Sequence, residues 1–139
     1  MTNKQKISGK KILVVEDDAA LRHVLRDKFV LEGFAVLEAI DGEEGLTSAV
    51  REHPDLILLD ILLPKMDGIT VLKKLRADSW GAHVHVFMLT NLSDNERVAD
   101  ALQNDAFEYF VKSNVKIEDL VAKVKEILGI QTEPGKLYA

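Results

Sequence analysis

Asp55-Leu56-Ile57-Leu58-Leu59-Asp60 decides how the chain reads. Four apolar residues run straight into a carboxylate, and Ile61-Leu62-Leu63-Pro64-Lys65-Met66-Asp67-Gly68 follows. A short apolar run with Pro and Gly just beyond it suits a strand buried on both faces, as in a parallel sheet. Asp60 then stands at the carboxyl end of an interior strand. In open α/β sheets that edge is where ligands and chemistry collect.

Working outward, the flanks repeat the pattern. Lys11-Ile12-Leu13-Val14-Val15 reads as a first strand that ends on Glu16-Asp17-Asp18. Residues 19–32 carry Leu21, Val24, Leu25, Lys28, Phe29 and Leu31 at the spacing of an amphipathic helix, with Asp17 or Asp18 as cap and Gly33 as stop. A second strand over 34–39 leads through Asp41 and Gly42 into a helix with Leu46, Ala49 and Val50, which stops before Pro54. Beyond Asp60, Asp67 caps a third helix from Gly68, with Ile69, Leu72 and Leu75 inward. Residues 78–81 read as a loop in which Trp80 packs. A fourth strand over 83–89 ends on Thr90-Asn91, and Ser93 or Asp94 caps a fourth helix over 95–104. A fifth strand over 106–111 ends on Lys112-Ser113-Asn114. Ile117, Leu120, Val121, Val124, Ile127 and Leu128 then line one face of a last helix, stopped by Gly129. Residues 1–10 read as a flexible lead-in, 11–129 as one domain and 130–139 as a tail. Five strands alternating with five helices favour a three-layer α/β sandwich around a parallel sheet.

Composition narrows the function classes. The 139 residues suffice for one domain with a full core, and 47% hydrophobic with 29% charged residues is ordinary for a globular chain. No cysteine is present, which excludes disulfides, thiolate metal sites and cysteine nucleophiles. The longest apolar run, Leu56 to Leu63, is interrupted by Asp60, so the sequence offers no membrane span or secretory signal. A net charge of -5 with dispersed Lys and Arg argues against direct nucleic-acid binding by this chain. His23, His53, His83 and His85 show no ligand spacing and read as surface or packing residues; His83 and His85 share one face of the fourth strand, which leaves a weak pH-sensitive pair as the alternative.

In a parallel sheet all strand ends point to one edge. Glu16, Asp17 and Asp18, then Asp60, Thr90 and Lys112, therefore converge. Several carboxylates repel one another unless a cation joins them or some are protonated. An all-oxygen set suits a hard ion, Mg²⁺ or Mn²⁺. Lys112 and the Thr90 hydroxyl supply what a carboxylate cannot, a positive charge and a donor for a bound phosphoryl group. A carboxylate can also attack phosphorus, and the central Asp60 is the expected nucleophile. The new charge of about -1.5 to -2 then has to be met by its surroundings, which makes the site a possible switch.

The chain resembles the receiver domains of bacterial two-component response regulators, chemotaxis-regulator-like proteins among them, from Lys11 to Gly129. Lys11-Ile-Leu-Val-Val-Glu16-Asp17-Asp18 is similar to the family's first strand and acidic pair, and Leu59-Asp60-Ile-Leu-Leu-Pro64-Lys-Met66-Asp67-Gly68 to its phosphoacceptor segment. Met88-Leu89-Thr90 and Tyr109-Phe110-Val111-Lys112 resemble its hydroxyl and lysine motifs. The resemblance implies a flavodoxin-like (βα)5 fold with strand order 2-1-3-4-5. It implies that Asp60 takes a phosphoryl group from a sensor histidine kinase or a histidine phosphotransfer protein in the cytoplasm. It implies Mg²⁺ (or Mn²⁺) on Asp17, Asp60 and the Leu62 backbone carbonyl, with Glu16 acting through water. Thr90 and Tyr109 become a coupled switch pair, and the fourth helix, fifth strand and last helix an output face for a protein partner. The domain is expected as a monomer or a phosphorylation-promoted dimer, stand-alone or part of a longer regulator. Three departures from the family stand out: Asn91 where a small residue is usual, Ser113 where Pro is usual, and a loop after Lys112 one residue longer.

Two rival readings share the fold class. An aspartate-nucleophile phosphatase of the haloacid-dehalogenase type wants a second Asp two residues after the nucleophile, where Leu62 stands. A flavin-binding module wants amides and hydroxyls after the first strand, where the chain is acidic.

Overall fold

The structure is a computed structural model that describes residues 9–91, 106 and 108–130. Its strands are β1 (Lys11–Val15), β2 (Ala35–Ala39), β3 (Leu56–Asp60), β4 (His85–Thr90) and β5 (Glu108–Val111). The described helices are α1 (Ala19–Leu31), α2 (Gly42–Glu52), α3 (Gly68–Ala77) and α4 (Ile117–Ile127). All strand pairs are parallel, and the order across the sheet is β2-β1-β3-β4-β5. This is the doubly wound order expected from the resemblance.

The two-residue side-chain period explains why β1, β3 and β4 are almost wholly apolar. Leu13, Val15, Ile57, Leu59, Val86 and Met88 point to one face and pack with Ala49 of α2 and Val71, Leu72 and Leu75 of α3. Ile12, Val14, Leu56, Leu58, Phe87 and Leu89 point to the other and meet Leu25 and Phe29 of α1 and Leu120, Val121 and Val124 of α4. Val24 and Leu31, expected on the inner stripe of α1, are instead exposed.

Helix ends follow the residues. Asp18, rather than Asp17, caps α1 by accepting from the Ala20 and Leu21 amides. Asp41 caps α2 and Asp67 caps α3. Gly33 and Gly129 take left-handed backbone beyond α1 and α4, with φ of 99° and 71°.

Three boundaries differ from expectation. Phe34 lies outside β2 as a buried plug set edge-on to Phe29. β5 begins at Glu108. β4 begins at His85 because the Arg76 guanidinium binds the Gly81 and Val84 carbonyls and holds the preceding segment as a loop. His83 is therefore off the strand, and the alternative of a same-face histidine pair on β4 falls away. His85 is held below its ordinary pKa by burial and by Arg76. Trp80 packs as expected, stacked flat on His53 with ring centroids 4.5 Å apart. The helix expected over 95–104 and its Ser93 or Asp94 cap lie outside the described residues, as do most of the lead-in and tail.

Candidate functional site

The sheet delivers Glu16, Asp60, Thr90 and Lys112 to one edge because all four follow or end parallel strands. Glu16 comes directly after β1, and its amide donates to the Ala39 carbonyl at the end of β2. Asp60 ends β3, paired in register with Leu89. Thr90 ends β4, and its carbonyl accepts from the Lys112 amide at 2.8 Å. Glu16, Asp60 and Thr90 are buried polar residues, with 0%, 4% and 4% of their surface exposed, whereas Asp17 is exposed. Buried polar groups of this kind need partners.

Lys112 is that partner. Its Nζ lies 3.0 Å from Asp60 Oδ2 and 2.8 Å from Glu16 Oε1. One ammonium thus bridges two buried carboxylates. In the sequence Lys112 is expected at the same sheet edge as Asp60, and the family resemblance implies for Glu16 only a water-mediated task. The direct Glu16–Lys112 ion pair was missed, and only the relative depth of the β1 and β5 ends could have shown it. Burial pushes the Glu16 and Asp60 carboxyls above the ordinary carboxylate range, although Lys112 pulls both down. Burial also disfavours the Lys112 ammonium, but its contacts with Glu16 and Asp60 outweigh this and hold its pKa above the ordinary lysine value.

The loop after Asp60 folds back under it. The Leu62 amide donates to the Asp60 carboxylate, and the Gly68 amide donates to the Ile61 carbonyl at 2.8 Å. A Cβ on Gly68 would stand 2.1 Å from the Asp60 carbonyl oxygen, so glycine is required by close approach. The N-terminus of α2 braces the same loop. The Gly42 amide donates to the Pro64 carbonyl at 3.2 Å, and Lys65 Nζ lies 3.7 Å from Asp41. Leu62 itself is exposed at the site's rim.

Among the family departures, Asn91 is exposed and Ser113 sits in a turn closed by the Asn114 and Val115 amides on the Val111 carbonyl. Every described peptide bond is trans, Lys112–Ser113 included. Lys112 is positioned by this turn and by the hydrogen bond its backbone N–H donates to the Thr90 carbonyl. Tyr109 pairs in register with Met88, two residues before Thr90, and is 42% exposed.

Carboxylate oxygens of Glu16, Asp17 and Asp60 lie within 4.8 Å of one another. Three oxygen donors at that spacing, with two of them buried, fit a hard divalent cation. They would hold it in competition with Lys112, which now neutralises part of their charge.

A doubly wound sheet with an acidic, lysine-bridged pocket at its carboxyl edge defines a class of domain. The chain belongs to the response regulator receiver domain family, whose model matches residues 12–125. It is 42% identical over 115 residues to the DNA-binding response regulator MtrA of Mycolicibacterium paratuberculosis, covering 83% of this chain and 49% of that protein. The chain spans about half the length of the curated relatives it matches. Among solved structures, a CheY-like receiver domain protein from Methanospirillum hungatei is 33% identical, with a TM-score of 0.81 over 88% of this chain and 95% of that one. The receiver domain of a sensor histidine kinase from Pseudomonas aeruginosa, with a magnesium ion coordinated in its active site cleft, is 29% identical, with a TM-score of 0.79 over 87% and 98% of the two chains. No described helix is long and apolar enough to cross a membrane.

Proposed function

We propose that the chain is a phosphoaccepting switch in which Asp60 receives a phosphoryl group from a histidine of a sensor kinase or phosphotransfer protein. The observation that carries this reading is the Lys112 ammonium set between two buried carboxylates, one of them Asp60 at the exit of the central strand. A structural ion pair needs one carboxylate, and the second buried acid has no packing rationale.

In the transfer an Asp60 carboxylate oxygen bonds to phosphorus as the phosphorus–nitrogen bond of the donor breaks. The nitrogen keeps the electron pair and takes up a proton. Asp17, Asp60 and the Leu62 carbonyl, with Glu16 assisting, would hold a divalent cation, which would supply charge neutralisation for the transfer. Lys112, 3.0 Å from Asp60, is within reach of an oxygen on the transferred group. Thr90 offers its hydroxyl from the next strand. Tyr109 starts from an exposed position and turns inward as Thr90 moves, which carries the change to the outer face around β5 and α4.

The domain acts on itself, catalysing its own phosphorylation and hydrolysis without turning over a metabolite. It works in the cytoplasm through protein partners. The DNA-binding relative MtrA is matched over 49% of its length, and the acidic balance of this chain gives the matched part no nucleic-acid footprint of its own.

Incubation with acetyl phosphate and Mg²⁺, followed by intact-mass measurement, tests the reading. A gain of one phosphoryl group in the wild type and none in Asp60→Asn supports it. No gain, or the same gain in Asp60→Asn, refutes it. Sustained phosphate release from small phosphomonoesters would point instead to a hydrolytic enzyme.

A further inference from the structure

Arg22 lies on α1 beside the acidic end of β1. It is 12% exposed, although arginines on the flank of a helix usually reach water. Its Nε donates to Glu38 Oε1 on β2 at 3.0 Å, and its Nη1 donates to the Glu16 backbone carbonyl at 2.9 Å. Glu38 is itself held by Arg26 Nη1 at 3.2 Å. Burial raises the Glu38 carboxyl, but the hydrogen bonds from Arg22 and Arg26 outweigh that and leave it below the ordinary range. Glu38 is thus a fixed anionic post on β2, and the guanidinium fork is anchored to it.

The other arm of the fork grips the peptide between Glu16 and Asp17. The Glu16 amide is already bonded to the Ala39 carbonyl, and the Asp18 amide donates to Glu16 Oε2 at 3.0 Å. With its carbonyl bound by Arg22, the peptide that joins the two acidic residues is fixed in plane. Asp17 is exposed, so the aim of its carboxylate is set by this backbone rather than by packing around its side chain.

We propose that Arg22 is a positioning residue for the metal cradle: it locks the Glu16–Asp17 peptide so that the Asp17 carboxylate faces Asp60. This rests on the receiver reading of the site. Groups that orient the ligands of a metal typically account for about 10- to 100-fold in affinity when removed.

Arg22 is also a cation beside an acidic site, and this makes the test decisive. If it acted only through its charge, removing it would strengthen attraction for a divalent cation and tighten binding. The positioning role predicts the opposite sign. Mg²⁺ affinity is measured by calorimetric titration of the wild type, Arg22→Ala, Arg22→Gln and Asp60→Asn, with circular dichroism confirming the fold of each without metal. Arg22→Ala is expected to bind about tenfold more weakly. Arg22→Gln, which keeps an N–H donor but no charge, is expected to fall between Arg22→Ala and the wild type. Arg22→Ala and Arg22→Gln binding as tightly as the wild type, or more tightly, would overturn the positioning role while leaving the receiver reading intact. A wild type that binds no Mg²⁺ would overturn both. Should Arg22→Ala fail to fold, Arg22→Gln carries the same comparison.

Discussion

Replacing Lys112 by Met keeps the stem of the side chain and removes the ammonium that bridges Glu16 and Asp60 at 2.8 and 3.0 Å. Two buried carboxylates then face each other without a counter-ion. Removing one partner of a buried pair costs about 3–5 kcal/mol when the charge left behind stays ionised. Protonation offers an escape. Holding Glu16 neutral against its ordinary value of 4.5 costs about 5 kcal/mol at pH 8 and about 1.4 kcal/mol at pH 5.5. The expected loss is therefore about 3–5 kcal/mol at pH 8 and about 1–2 kcal/mol at pH 5.5. The sign follows from linkage. A carboxyl whose folded pKa is raised favours the folded state at low pH, and that contribution is lost as pH rises through the folded value. Urea unfolding followed by circular dichroism and by the fluorescence of Trp80, without divalent cations, measures the difference at both pH values. A loss below about 1 kcal/mol at pH 8, or equal losses at both pH values, would show that Lys112 does not neutralise the pair.

Asp60→Asn removes the acid that burial makes costly and leaves Lys112 paired with Glu16, so the metal-free protein should gain about 1 kcal/mol, or roughly 3–5 °C in Tm; a lower Tm contradicts this. Mg²⁺ should raise the Tm of the wild type with concentration and that of Asp60→Asn much less, because binding only the folded state stabilises it by mass action. Gly42→Ala places a Cβ 1.7 Å from the Met66 carbonyl oxygen, a backbone atom that no rotamer change can clear. It should cost about 2–3 kcal/mol in chemical denaturation and loosen the loop that carries Leu62. Asp18→Ala removes the α1 cap that accepts from the Ala20 and Leu21 amides, and should cost about 1 kcal/mol by the same assay.

Much of the fold was legible because buried parallel strands read as unbroken apolar runs. β1 and β3 lie where the apolar runs put them, and the Asp67 cap and the stops at Gly33 and Gly129 are visible as residue types, whereas Asp41 reads only as a turn into α2 and its carboxylate proves to accept from the Glu44 amide. Strand edges were less legible where tertiary hydrogen bonds decide them. His83 looks like strand from its neighbours, but Arg76 claims the backbone carbonyls before β4. The expected stripe of α1 is too wide, since the spacing of five apolar residues and Lys28 cannot say that Val24 and Leu31 stay exposed. At the site, the strand-end polar residues were readable because a parallel sheet brings its carboxyl ends to one edge. The bridge from Lys112 to Glu16 and the grip of Arg22 on the Glu16 carbonyl were not, because both depend on how far β1, β2 and β5 extend relative to one another. Glycines 42 and 68 looked like turn formers, whereas the structure needs them for close backbone contacts with Met66 and Asp60.

Asp60, and no other carboxylate, is the residue expected to carry the phosphoryl group. Borohydride reduction converts an acyl phosphate on aspartate to homoserine, which peptide mapping can locate. After treatment with acetyl phosphate and Mg²⁺, homoserine is expected at position 60 alone. Homoserine at position 17, or no reduced residue in a protein shown to bind Mg²⁺, would rule out Asp60 as the phosphoacceptor.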